Sequence, residues 1–150
     1  METIKQQYSI SLVFSFLWLG FVCAISFMEA WLKFEADGVT LPIGLSIGKV
    51  VFTWLNRVEW MFALIIFFNF FISNHNLNYL KALYIIILVG LALQSVWIFP
   101  ILEKQADLII SGQTVQSSFY HLFYIIIECI KAVSLLLLGI KLLKLHNHEN

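Results

Sequence analysis

The chain has 150 residues, a formal net charge of zero, 61% hydrophobic residues and only 12% charged ones. A water-soluble domain of this size would expose large apolar patches, so the composition excludes an ordinary soluble fold and calls for lipid on the outside. It gives no support for a nucleic-acid partner either, because no lysine or arginine tract precedes the C-terminal tail.

Four long apolar runs follow one another. The first covers about 8–32, behind Lys5. It is of membrane-spanning length and lacks a clear small-residue cleavage site, so it reads as a retained helix and not a signal peptide. A loop with Glu35, Asp37 and Gly38 follows. Thr40 is a suitable N-cap, with Pro42 in the first helical turn. From there two readings are open. One helix starts near Pro42 and enters the membrane around Val50, giving a span of 50–72; or Pro42 to Leu55 form an interfacial amphipathic helix and the span begins near Asn56.

The short polar stretch from Ser73 to Asn78 predicts a tight helical hairpin. The third run covers about 80–101. A longer link holding Glu103, Lys104, Asp107, Gly112 and Gln113 leads to the fourth, about 119–143. Each run is near the ~20 residues that carry a helix across ~30 Å of hydrocarbon. Barrel strands would be half as long and would alternate. The expected fold is therefore all-α: one domain, 1–150, an integral membrane four-helix bundle running up-down-up-down with both termini on the same side. Lys5, Lys81, Lys141 and Lys144 on that side, against Lys33, Lys49 and Lys104 opposite, make it the cytoplasmic one, which suits a bacterial inner membrane.

Ionisable groups inside a bilayer are costly and each calls for an explanation. The runs contain Glu29, Arg57, Glu59, Gln94, His121, Glu128 and Lys131. Counting ~1.5 Å per residue places them in the same half of the membrane, although the helices run in opposite directions. His121, Tyr124, Glu128 and Lys131 share one helical stripe, as do Tyr84, Ile87, Leu91 and Gln94. Arg57 and Glu59 are two apart and cannot share a face. Glu29 and Lys33 are four apart and can pair locally; Glu128 and Lys131 can pair one turn apart. Gln94 suits an interhelical hydrogen bond.

Glu29, Glu59, His121 and Glu128 are residue types that can hold a metal ion in a bundle. Arg57 and Lys131 bring opposing positive charge, the paired Glu-x-x-His signature of di-iron bundles is absent, and one histidine cannot ligate haem from both sides. His75, His146 and His148 are weak metal candidates outside the spans. Cys23 and Cys129 are either bridged between the first and fourth helices or free and buried, and neither sits in a zinc-type spacing.

Gly20 and Phe27 in the first helix, a long loop, then Gly44, Gly48 and Phe52 leading into the second carry a resemblance. Over Leu19 to Phe67, a third of the chain, it resembles small four-helix membrane proteins of the copper-resistance D superfamily. That resemblance implies a four-helix bundle and, loosely, metal or haem association. The chain lacks the histidines for the latter, so only the architecture carries over.

Three functional expectations result. The first is a ligand-binding or transport-related membrane protein, in which Glu29, Arg57, Glu59, Gln94, His121, Tyr124, Glu128 and Lys131 bind or move a small polar ligand or protons. The second is a structural or accessory subunit, as a homo-oligomer or beside a partner membrane chain. The third is a small membrane enzyme using His121 with Glu59 or Glu128, with or without a metal. No nucleotide loop, nucleophile motif or selectivity filter favours a particular reaction.

Overall fold

The computed structural model describes residues 2–72, 78–115 and 119–147, and side chains within them except those of 2–7, 71, 72 and 78. The hairpin residues 73–77 with His75, the Lys5 side chain and His148 lie outside this description. Everything described beyond turns is helical. Helix α1 (2–32) comprises Glu2–Val22, a wider π-helical segment Cys23–Glu29, and Ala30–Leu32. Helix α2 is Leu41–Ile72. Helix α3 (78–110) comprises Asn78–Leu93, a second π-helical segment Gln94–Ile98, and Phe99–Ile110. Helix α4 is Tyr120–Asn147. All four are long and apolar enough to cross a membrane. Away from water only a helix or a closed barrel satisfies every backbone group, which is why these leucine-, isoleucine- and phenylalanine-rich runs coil without interruption.

Around Pro42 the chain forms no separate helix: α2 is one continuous helix of 32 residues. The Thr40 carbonyl accepts its first bond, from Gly44 N–H at 2.9 Å. The third helix outruns its apolar core. Glu103, Lys104 and Asp107, expected in a loop, are helical, and α3 ends only at Ile110. Hydropathy marks where a chain meets hydrocarbon, whereas a helix ends where its last carbonyls are capped. Here the cap is a glycine-terminated turn: Gln113 N–H bonds Leu108 O and Gly112 N–H bonds Ile109 O, with Gly112 at φ 84°. At ~1.5 Å per residue α2 is about 48 Å long, more than the ~30 Å that a hydrocarbon layer requires. Near the α1–α2 turn, α2 and α3 are joined by the Lys49–Asp107 ion pair.

Each helix packs on its sequence neighbours, and α4 closes the ring against α1. Paired residues run in opposite order along each pair of neighbours: Ser11 with Asn69 and Trp18 with Glu59, Asn56 with Ser95 and Ala63 with Tyr84, Gln94 with Glu128 and Trp97 with Tyr120, Phe16 with Gly139 and Ser26 with Glu128. Neighbouring helices are therefore antiparallel. In the half of the bundle that holds the termini, Phe62, Ile66, Ile87, Leu91, Leu135 and Leu138 form a continuous apolar core around Trp18. Outward, Val13, Val89, Val96 and Val133 are among many large apolar side chains left more than half exposed, as a lipid-facing surface requires.

The turn between α1 and α2 folds back onto α2. Phe34 lies against Gly44, and the Lys33 ammonium would stand 2.9 Å from a Cβ at Gly48. Gly44 and Gly48 are four apart, so their missing side chains open one groove on the helix, of the kind that lets chains approach closely in membranes. Lys33 fills that groove, 3.3 Å from Glu29 and over the Phe52 ring. Cys23 and Cys129 are both free, and both are exposed on the outside of the bundle instead of buried.

Candidate functional site

The polar stripe of α4 drives the site. Glu128 and Lys131, three apart, point inward at the same level, where they meet Glu59 of α2, Gln94 of α3, and Trp18 and Ser26 of α1. The Lys131 ammonium lies 2.5 Å from Glu59 Oε1 and 2.8 Å from Glu128 Oε2. It also donates to Gln94 Oε1 at 2.7 Å. An ammonium has three N–H groups, and all three are used. Glu128 receives two further donors: Ser26 Oγ–H at 2.7 Å on Oε1, and Gln94 Nε2–H at 2.6 Å on Oε2. Trp18 Nε1–H donates to Glu59 Oε1 at 2.9 Å. Gln94 completes its own set with the Tyr124 carbonyl at 3.3 Å.

All four helices thus contribute, and the four residues at the centre are buried, Glu59 and Gln94 at 2% exposed and Glu128 and Lys131 at 1%, while Ser26 at the edge is half-buried. No buried side-chain nitrogen or oxygen among the described residues lacks a partner. In a low-dielectric interior an unsatisfied member would cost the desolvation of a polar or charged group, so completeness is what makes this arrangement tolerable.

Both π-helical segments serve the cluster. An α-helix widened to i→i−5 bonding holds an extra residue per turn and re-aims the side chains on it. Ser26 sits within the first such segment and Gln94 opens the second. Both point at Glu128. In α3 the cause is local. Pro100 has no N–H and crowds the carbonyl four residues back, and the wide turn that precedes it, closed by Phe99 N–H on Gln94 O, relieves that conflict.

The cluster is closed toward the termini by the apolar core. Toward the α1–α2 turn it is covered by Tyr124, whose ring meets Phe52 edge-on at 5.8 Å, with Lys33 over Phe52 beyond.

Of the eight residues singled out from sequence, the structure brings together five: Glu59, Gln94, Tyr124, Glu128 and Lys131. Glu29 stays on the rim, paired with Lys33. Arg57 is exposed on the opposite face of α2 from Glu59, its guanidinium 4.8 Å over the Trp54 ring. His121 is exposed at the start of α4, two turns from Glu128, or roughly 10 Å along the axis. No described hydrogen bond links it to a carboxylate. No group of three or more His, Cys, Asp and Glu suited to a metal ion occurs among the described residues. Sequence reasoning missed Trp18 and Ser26. Their signal is spacing: Ser11, Ser15, Trp18 and Val22 recur at four, three and four, and all are buried, so α1 carries its inward face as a line of small polar residues and one indole N–H.

No protein-family model matches the chain, and neither the curated proteins nor the solved structures include a significant match to it.

Proposed function

We propose that this chain is a multi-pass integral membrane protein, with both termini cytoplasmic, whose buried cluster is a proton-binding centre with Glu59 as the carrier. The observation behind this reading is a charge count. Two carboxyl groups share one ammonium, and all three are buried in the bundle interior. Fully ionised, the cluster would carry one uncompensated negative charge in the bundle interior, a cost of several kcal/mol. One bound proton makes it neutral.

Donor geometry supports Glu59 as its holder. Glu128 accepts from three groups spread over both oxygens, an arrangement suited to the ionised form. Both donors that reach Glu59 come to the same oxygen, Oε1, so in this reading the proton sits on Oε2. Gain or loss of that proton changes the charge that Lys131 and Gln94 must balance. Those two residues tie α2, α3 and α4 together, so protonation is coupled to how the helices pack. A small polar ligand is a poorer occupant, since Lys131, Gln94 and Glu128 already spend their donors and acceptors on one another.

Glutamine tests the assignment, because it mimics a protonated carboxyl group and cannot ionise. With the purified chain in detergent at neutral pH, Glu59→Gln is expected to unfold close to wild type. Glu128→Gln forces an NH2 group or a lone carbonyl against three donors and is expected to be clearly less stable. Equal losses in both, or the reverse order, would overturn the assignment.

A structural or accessory role is the second reading, favoured by the closure of the network. There the cluster only fixes helix register, and a stoichiometric partner co-purifies with the chain.

A further inference from the structure

Arg57 is left out of the cluster, and its surroundings say what it meets instead. Val50, Trp54, Arg57, Met61, Leu64 and Phe68 are spaced four, three, four, three and four, so they form a single stripe along α2. All six are exposed. Arg57 is the only charge in the stripe, and no described carboxylate pairs with it. A guanidinium keeps its charge in any protein environment, so on a lipid-facing stripe it must reach an anion or water.

Its direction is recorded in the structure. The guanidinium lies over Trp54, one turn toward the N-terminal end of α2. Side chains on a helix lean that way, and here the lean lifts the charge toward the nearer membrane surface. Measured from Ile72, Arg57 stands about 22 Å along the helix, leaving about 8 Å of a 30 Å hydrocarbon layer. The side chain covers most of that distance, and Trp54 sits at the level where indoles gather in the interface.

We infer that Arg57, braced on Trp54, is a binding site for the phosphodiester of a phospholipid in the leaflet on the α1–α2 turn side. The guanidinium offers a planar fork of donors that suits phosphate oxygens, and the apolar stripe below it suits an acyl chain. A second copy of the chain is the poorer occupant. A parallel two-fold pairing of this stripe would set Arg57 against Arg57.

The test uses the full chain in detergent, titrated with phosphatidylglycerol, phosphatidylcholine or inorganic phosphate and read by native mass spectrometry. Wild type is expected to retain one lipid adduct with either phospholipid and none with inorganic phosphate. Arg57→Gln is expected to weaken that adduct about tenfold, the scale of one charge-assisted interaction. Its unfolding midpoint should not move, since Arg57 has no ion pair to lose. Arg57→Lys should keep part of the binding. An adduct of equal strength in Arg57→Gln would overturn the site. So would a wild-type dimer that Arg57→Gln dissolves, which would mean a protein carboxylate and not a lipid meets Arg57.

Discussion

Lys131 of α4 and Glu59 of α2 meet at 2.5 Å in the centre of the bundle, with side chains 0% and 2% exposed. They lie on opposite members of the four-helix ring, so this ion pair spans the bundle interior, and Glu128 and Gln94 are arranged around it. The stability of the fold should depend on it far more than on any surface charge.

Replacing Lys131 with methionine keeps the length of the side chain and removes its charge. Two buried carboxyl groups then face each other without an ammonium between them. Losses on breaking a buried pair are about 3–5 kcal/mol, and Lys131→Met is expected near that range. Reversible unfolding in mixed micelles measures it. Adding Glu128→Leu to Lys131→Met should recover part of the loss, since it removes one of the stranded carboxyl groups.

Trp18 contributes both packing, against Phe62 with centroids 6.4 Å apart, and one N–H to Glu59. Trp18→Phe keeps most of the first and deletes the second. The expected cost is about 1–3 kcal/mol, the range for leaving a buried acceptor short of a donor. The same unfolding measurement reads it, and a cost near zero would mean the indole N–H contributes nothing to the cluster.

Gln94 is the one side chain that both accepts from Lys131 and donates to Glu128. Gln94→Leu is therefore expected to be costlier than Trp18→Phe, and Gln94→Asn not to rescue it, because the shorter amide does not reach from α3. His121→Ala, at an exposed site with no described partner, should stay within about 0.5 kcal/mol of wild type.

Gly48 leaves room for the Lys33 ammonium against α2. Gly48→Leu fills that groove, displaces Lys33 and separates it from Glu29. The cluster lies deeper and should be untouched. A loss of about 1–3 kcal/mol is expected, together with faster protease cleavage in the 33–40 turn; unchanged cleavage would mean the turn does not depend on the groove.

Much of this was legible in the sequence. Four apolar runs gave four helices, because hydrocarbon leaves the backbone no other solution of that length. Helical spacing alone placed Tyr84, Ile87, Leu91 and Gln94 on one buried face, and Glu128 beside Lys131. It separated Arg57 from Glu59 but could not say which of the two faced inward. It also put His121 on the inward stripe of α4, one turn beyond where that stripe stops being covered. The helix ends at Ile110 and the π-helical segments were not legible, since the first depends on a glycine cap and the second on how Pro100 and the cluster re-aim a turn. Ser26 went unnoticed for the same reason: only the wider turn brings its hydroxyl to Glu128.

Infrared difference spectroscopy tests the proton on the cluster most directly, through the C=O stretch that only a protonated carboxyl group shows and that shifts in D2O. At neutral pH the wild-type chain should display one such band, absent from Glu59→Gln and strengthened in Lys131→Met, where both carboxyl groups must be neutral. A wild-type spectrum without a protonated carboxyl band would contradict the account, for then the cluster holds its extra charge unaided.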